Sequence, residues 1–130
     1  MEIDAFNTPR RFPVGEAEVE LCHVANIILE PDEMVTFVGP GNRQYDVTSK
    51  DWGYYATPSV GKRLRHFGIR AGLMRNVDSG HVFVVLVFED RMSAWQHYME
   101  VEREELVMWL DEIPIVYAAL SKLHRGHITQ

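Results

Sequence analysis

The sequence predicts an α+β fold with a mixed, mostly antiparallel sheet, and three observations indicate this class. Several short segments alternate apolar and polar residues, which is the period of a β-strand. Turns rich in glycine and proline separate these segments. Other segments place apolar residues at spacings of three and four, which is the period of a helix with one buried face. Strands and helices mixed in this way are typical of α+β proteins.

The predicted order of elements is βββαββαβα, with six strands in one sheet and about three helices. An extended arm over 1–15 precedes a single domain over 16–125, and a flexible tail over 126–130 follows it. A chain of 130 residues suits one domain that is large enough to bury a hydrophobic core.

The first three predicted strands cover 18–29, 34–38 and 43–47, and we expect them to form an antiparallel meander. The first strand should bury one face, because its apolar residues and His23 occupy every second position: Val19, Leu21, His23, Ala25, Ile27 and Leu29. The stretch 48–58 is predicted to be a loop. Ser59 should then cap a short helix over 60–67 by accepting from a free backbone N–H, and Gly68 should end it.

The second half of the sheet is predicted from 69–75, 81–88 and 105–110. The continuous apolar run in 81–88 indicates a central strand that is covered on both faces. A helix over 92–102 connects the last two strands, which we expect to be parallel with a right-handed crossover.

The last predicted helix covers 115–124, after Pro114, and is apolar over most of its circumference. A helix of this kind has to be covered. Either it closes the core of its own domain, or a second copy covers it in a homodimer. An exposed edge strand offers a second route to a homodimer.

Charge is distributed unevenly along the chain. The net charge of −6 argues against nucleic-acid binding, which needs a basic surface. The window 52–77 nevertheless holds five basic residues and no acidic one, whereas the remainder holds eight basic and nineteen acidic residues. The window is therefore the part of the chain most suited to a small anion.

Other features limit the class of protein. No segment reaches the roughly 20 apolar residues of a membrane-spanning helix, and the first residues do not resemble a signal peptide. The single cysteine, Cys22, excludes an intramolecular disulfide. We therefore expect a soluble cytoplasmic protein of bacterial type with no membrane partner.

The segment from Trp52 to His66 is the best candidate site. Its aromatic side chains can stack on rings or sugars, its predicted helix start favours an anion, and its arginines suit phosphate or carboxylate. The predicted ligand-binding residues are Trp52, Tyr54, Tyr55, Thr57, Ser59, Lys62, Arg63 and Arg65. The expected ligand is a small molecule bearing a phosphate or a carboxylate.

Two other interpretations of this segment stay open. The basic residues can simply neutralise acidic neighbours on the surface, where ion pairs are common and weak. Alternatively, His66 or Tyr55 acts as an acid or base in a small transferase, isomerase or lyase. No motif favours any reaction class or implies a cofactor.

The remaining chemistry-bearing residues favour structural roles. His124 and His127 have the spacing of metal ligands but lack a third ligand nearby, so no metal site is predicted. Cys22 and His23 are neighbours on a strand, where successive side chains diverge, which argues against a catalytic dyad. Asp111 and Glu112 are expected to lie at a helix N-terminus, where negative charge is favourable.

Overall fold

Short strands joined by tight turns account for most of the chain in the computed structural model, which describes the backbone of residues 1–128 and the side chains of 1–123. The described residues form eight strands in three small antiparallel sheets and three helices, which confirms the α+β class. The prediction of one six-stranded sheet was wrong. The chain divides into two compact units, unit 1 (Met1–Thr57) and unit 2 (Pro58–Gln130).

Unit 1 contains two of the sheets. Strands β1 (Glu2–Val14) and β2 (Val19–Ile28) form an antiparallel pair, and β3 (Met34–Gly39), β4 (Arg43–Lys50) and β5 (Gly53–Ala56) form a three-stranded meander. The residues predicted as an extended arm form a strand that pairs with β2, and β2 therefore does not pair with β3 as the predicted meander required.

Two features of unit 1 explain why the sequence pattern did not predict all of its strands. The register of β1 against β2 shifts between Ala5 and Arg10, and Pro9, which has no N–H to donate, lies in that irregular stretch. Polar residues from Thr48 to Lys50 extend β4 into the predicted loop, and β5 follows after a two-residue turn. These segments form strands through backbone pairing, and no apolar pattern in the sequence indicates them.

The third sheet belongs to unit 2 and has the order β7-β6-β8, with β6 at Ile69–Asn76, β7 at Val82–Phe88 and β8 at Glu104–Trp109. Both β7 and β8 are antiparallel to β6. They therefore run parallel to each other, as expected, but β6 separates them. The prediction that the apolar strand 81–88 is central was wrong, because β6 is the central strand and β7 is an edge strand.

The helices of unit 2 are α1 (Arg63–His66), α2 (Met92–Glu102) and α3 (Ile113–Ile128). The bounds of α2 are as predicted, and α3 begins two residues earlier than expected. Helix α1 is a single turn instead of the eight residues predicted, because Gly61 has a left-handed backbone with φ +82°. None of the helices within residues 1–128 is long and apolar enough to cross a membrane.

The apolar core lies in unit 2. The hydrophobic side chains buried within residues 1–123 are Leu64, Ile69, Ala71, Met74, Val87 and Met99. In unit 1 the expected buried face of β2 is open, since Val19, Leu21 and Ile27 are about half exposed. The buried residues of β4 are polar instead, and Asp46 there accepts a 2.6 Å hydrogen bond from the hydroxyl of Thr36.

Candidate functional site

The predicted site is divided between the two units. Trp52, Tyr54 and Tyr55 lie in unit 1, at the turn before β5 and on that strand, with exposed fractions of 69%, 78% and 50%. Thr57 is the last residue of unit 1, and its hydroxyl lies 3.3 Å from both the carbonyl oxygen of Asp46 and the hydroxyl of Thr48. Ser59, Lys62, Arg63, Arg65 and His66 lie in unit 2.

Acidic side chains already form ion pairs with several basic residues of the window 52–77. Arg65 Nε lies 2.6 Å from Glu89, and Arg75 pairs with Glu105 at 3.2 Å. Arg70 pairs with the buried carboxylate of Asp111. Lys62 differs from these residues, because it forms no ion pair within residues 1–123. The interpretation of the window as surface neutralisation therefore applies to Arg65 and Arg75, whereas Arg70 pairs with a buried carboxylate.

The pair formed by Arg70 and Asp111 is the best-defined polar contact of unit 2. Arg70 donates two hydrogen bonds to the carboxylate, of 2.9 and 2.7 Å, in the planar geometry that suits arginine. Its guanidinium also lies over the ring of Trp109, 4.0 Å from the centroid. The hydrogen bonds from Arg70 hold the pKa of Asp111 below its ordinary value, despite the opposing effect of burial. Asp111 is therefore a carboxylate whose charge is compensated.

A cavity of about 600 Å³ lies beside this pair, and we call it the lysine cavity. Two predicted ligand-binding residues, Ser59 and Lys62, line it together with Asp111. Its other walls are mostly apolar and come from the 59–62 loop and from α3: Val60, Gly61, Pro114, Ile115 and Ala118. The arrangement places Lys62, which forms no ion pair within residues 1–123, in the wall of a mostly apolar cavity.

Gly61 allows the lysine cavity to form. Its left-handed backbone turns the chain before α1, and a Cβ built there would lie 3.2 Å from the carbonyl oxygen of Asp111. Ser59 stabilises the same turn, because its Oγ accepts from the backbone N–H of Arg63 at 3.4 Å. Lys62, rather than Ser59, occupies the N-cap position of α1. The loop and Asp111 are therefore held closely together.

A second cavity, of about 490 Å³, is lined by residues of α2, β6 and β8, and we call it the tryptophan cleft. The rings of Trp95 and Trp109 form part of its wall, with centroids 5.2 Å apart and planes at 49°. The other lining residues are Arg70, Met92, Gln96, Met99, Glu100 and Leu106. The indole Nε1 of Trp95 is buried and has no hydrogen-bond partner within residues 1–123, a cost that packing for stability alone would avoid.

The two cavities meet at the ion pair, since Arg70 lines the tryptophan cleft and Asp111 lines the lysine cavity. Sequence reasoning assigned Asp111 only to a helix terminus and did not select Arg70 as a ligand residue. One available signal was that Trp95 and Trp109 lie on consecutive elements, α2 and β8. Their convergence could be recognised only once the sheet order was known.

Neither cavity has His66, His23 or Cys22 among its lining residues. The His66 ring is 5.5 Å from that of Phe67, and His23 contacts the ring of Phe6 at 4.8 Å. Cys22 is an exposed free thiol. The side chains of His124 and His127 lie outside the described residues. Among the side chains of residues 1–123, no group of three histidine, cysteine, aspartate or glutamate residues could hold a metal ion.

Comparisons with known proteins place no further constraint on these sites. No protein-family model, curated protein or solved structure matches this chain.

Proposed function

We propose that this protein binds a small molecule with one phosphate or carboxylate group and an apolar body, and that the lysine cavity is its site. The observation that carries the proposal is the position of Lys62. Its ammonium group lacks an ion pair within residues 1–123 and borders a cavity whose walls are mostly apolar. An amphiphilic anion is complementary to both properties.

The neighbouring polar groups are compatible with an anion. The carboxylate of Asp111 is already compensated by the hydrogen bonds from Arg70, and Arg65 Nη1 lies 3.8 Å from it. The hydroxyl of Ser59 uses its oxygen to accept from Arg63, so its proton stays available for donation to a ligand oxygen. A ligand anion would therefore meet a lysine and a hydroxyl donor.

The test compares ligands that differ in charge or in the presence of an apolar body. Hexanoate and phenyl phosphate should raise the melting temperature of the full chain, whereas the neutral analogue hexanol should have little effect. Inorganic phosphate should act more weakly than phenyl phosphate, because it lacks an apolar body. Equal stabilisation by hexanol and hexanoate would show that charge is not recognised.

Lys62→Met keeps the apolar stem and removes the ammonium group. We expect this variant to bind hexanoate about tenfold more weakly, which is the loss of one charged contact worth about 1.4 kcal/mol. Lys122→Met is the matched control, since Lys122 does not line the cavity. Similar affinities for both variants and the unmodified chain, measured by calorimetry, would exclude Lys62 from the site.

Self-association is a second proposed function, and the exposure of α3 supports it. One side of the helix is exposed: the exposed fractions are 55% for Val116, 70% for Tyr117 and 60% for Leu120, which lie at helical spacing. No charged residue occurs from Ile113 to Ser121, so two copies of this face could meet around a twofold axis without apposing like charges. We propose that α3 of a second copy covers this face.

The edge strand β7 is the other route to a homodimer. It carries no charge between Val82 and Phe88, and Val84 is 68% exposed. Light scattering on Leu120→Asp and Val84→Lys separates the two routes. We expect a dimer that Leu120→Asp converts to a monomer and that Val84→Lys leaves intact. The reverse result would assign the interface to β7, and a monomeric unmodified chain would exclude both.

A further inference from the structure

We propose that the tryptophan cleft of unit 2 binds a neutral hydroxylated ring, namely a monosaccharide or the sugar unit of a larger molecule. This site has no lining residue in common with the lysine cavity, although the two meet at the ion pair between Arg70 and Asp111. The volume of about 490 Å³ lies within the usual range for small-molecule sites.

The charges around the cleft favour a neutral ligand. Arg70 lies 4.0 Å from the centroid of the Trp109 ring and occupies the position that a ligand cation would take over that ring. Its own charge is compensated, because two hydrogen bonds of 2.9 and 2.7 Å join it to Asp111. An anionic ligand would meet the carboxylate of Glu100 and a guanidinium that is already engaged. A cationic ligand could pair with Glu100 but would find the face of Trp109 occupied by Arg70.

The polar side chains of the cleft favour hydroxyl groups. Gln96 and Glu100 lie one turn apart on α2, and neither forms a side-chain hydrogen bond or ion pair within residues 1–123. A carboxylate accepts hydrogen bonds, and an amide both donates and accepts. Adjacent hydroxyls of a sugar can donate to the Glu100 carboxylate and exchange hydrogen bonds with the Gln96 amide.

The aromatic walls favour a ring. Trp95 and Trp109 both line the cleft with ring planes tilted by 49°, and Arg70 lies over one face of Trp109. A sugar ring has one face of C–H groups that packs on an indole, while its hydroxyls project from the ring edge. The cleft thus provides stacking surfaces for the face and polar partners for the edge, which few other neutral ligands would use together.

The experiment is fluorescence titration of the full chain carrying Trp52→Phe. Trp52 lies in unit 1 and is 69% exposed, so its replacement leaves Trp95 and Trp109 as the fluorophores. The probes are glucose, galactose, mannose and N-acetylglucosamine. Tetramethylammonium and inorganic phosphate serve as charged probes. We expect a saturable change with at least one sugar, with a Kd on the order of 1 mM, and none with the charged probes.

Variants on α2 test whether the response arises in the cleft. Gln96→Ala and Glu100→Gln should each weaken sugar binding about tenfold. His97→Ala is the matched control, because His97 is an exposed neighbour on the same helix that does not line the cleft. Lys62→Met should also retain sugar binding, which separates this site from the lysine cavity. Melting temperatures show that each variant is folded.

Three results would overturn the proposal. The first is the absence of a saturable change with all four sugars. The second is a saturable response to tetramethylammonium or phosphate in place of sugar, which would assign the cleft to a charged ligand. The third is equal loss of sugar binding in His97→Ala and Gln96→Ala, which would place the response outside the cleft.

Discussion

Arg70 and Asp111 show how one pair of side chains organises unit 2. The carboxylate is almost fully buried, with a side-chain exposure of 2%, and it depends on the guanidinium for compensation. The same guanidinium covers a face of Trp109. Since breaking a buried ion pair leaves an uncompensated group, each partner matters more to stability than their mutual attraction alone would suggest.

Replacing Asp111 with asparagine keeps its size and removes its charge. We expect Asp111→Asn to lower the free energy of unfolding by roughly 2–4 kcal/mol, because Arg70 loses its main partner. Urea denaturation measures this loss. Glu112→Gln is the control: Glu112 lies 3.6 Å from Arg70 but is 61% exposed, so its change should stay within about 0.5 kcal/mol. Equal losses would contradict the assigned role of Asp111.

The same carboxylate gives a pH dependence with a defined sign. Hydrogen bonding from Arg70 holds the folded-state pKa of Asp111 below its ordinary value of 3.8. Its contribution to stability is therefore fully present above the unfolded-state pKa and is lost as pH falls through the folded-state pKa. We expect the difference in unfolding free energy between the unmodified chain and Asp111→Asn to be constant above about pH 5 and to shrink below about pH 4. A difference that grows in acid would show the opposite sign.

At the scale of elements, the loop before α1 is decided by backbone geometry. The sequence pattern favours a helix over 60–67, but the left-handed residue Gly61 limits α1 to one turn. That turn is also what allows Lys62 and Ser59 to line a cavity with residues of α3. A longer helix would have removed the loop from which the lysine cavity is built.

Two glycine variants distinguish the cost of backbone strain from the cost of a steric clash at the Cβ position. Gly68 has φ +70° and open space around its Cβ position, whereas Gly61 has φ +82° and faces the carbonyl oxygen of Asp111 at 3.2 Å. We expect Gly68→Ala to cost about 1 kcal/mol from strain alone. Gly61→Ala should cost roughly 1 kcal/mol more. Thermal or urea unfolding measures both, and equal costs would mean that the loop moves away from Asp111 without penalty.

At the scale of the whole chain, the distribution of apolar surface is unusual. The hydrophobic core of the described residues is small and lies in unit 2, while apolar residues of β2, β7 and α3 remain exposed. A chain of 130 residues normally buries a larger share of its apolar surface. This distribution supports the proposal that a second copy covers part of that surface.

Self-association makes thermal stability depend on concentration, because a partner that binds only the folded chain stabilises it by mass action. We expect the melting temperature to rise with protein concentration between about 1 and 100 μM. Leu120→Asp should abolish this dependence, whereas Ser93→Asp, an exposed change on α2, should retain it. A melting temperature that is independent of concentration in the unmodified chain would argue against assembly.

Local patterns predicted most elements of the fold. The bounds of α2 and the presence of β2, β3, β6, β7 and β8 follow from periodicity and turn residues, which are local properties of the chain. Pairing could not be predicted in the same way. The apolar run of β7 indicated a central strand, yet strand order depends on contacts between distant residues, and β6 takes the centre.

The amino-acid sequence by itself determined the fold class, most element positions and the concentration of basic residues in one window. It also identified Ser59 and Lys62 as site candidates from their residue types. Only the tertiary structure decided which cations are already paired, that Gly61 approaches Asp111, and that Trp95 and Trp109 share a cleft. The physical reason is that charge and propensity belong to individual residues, whereas a cavity or an ion pair forms between residues that folding brings together.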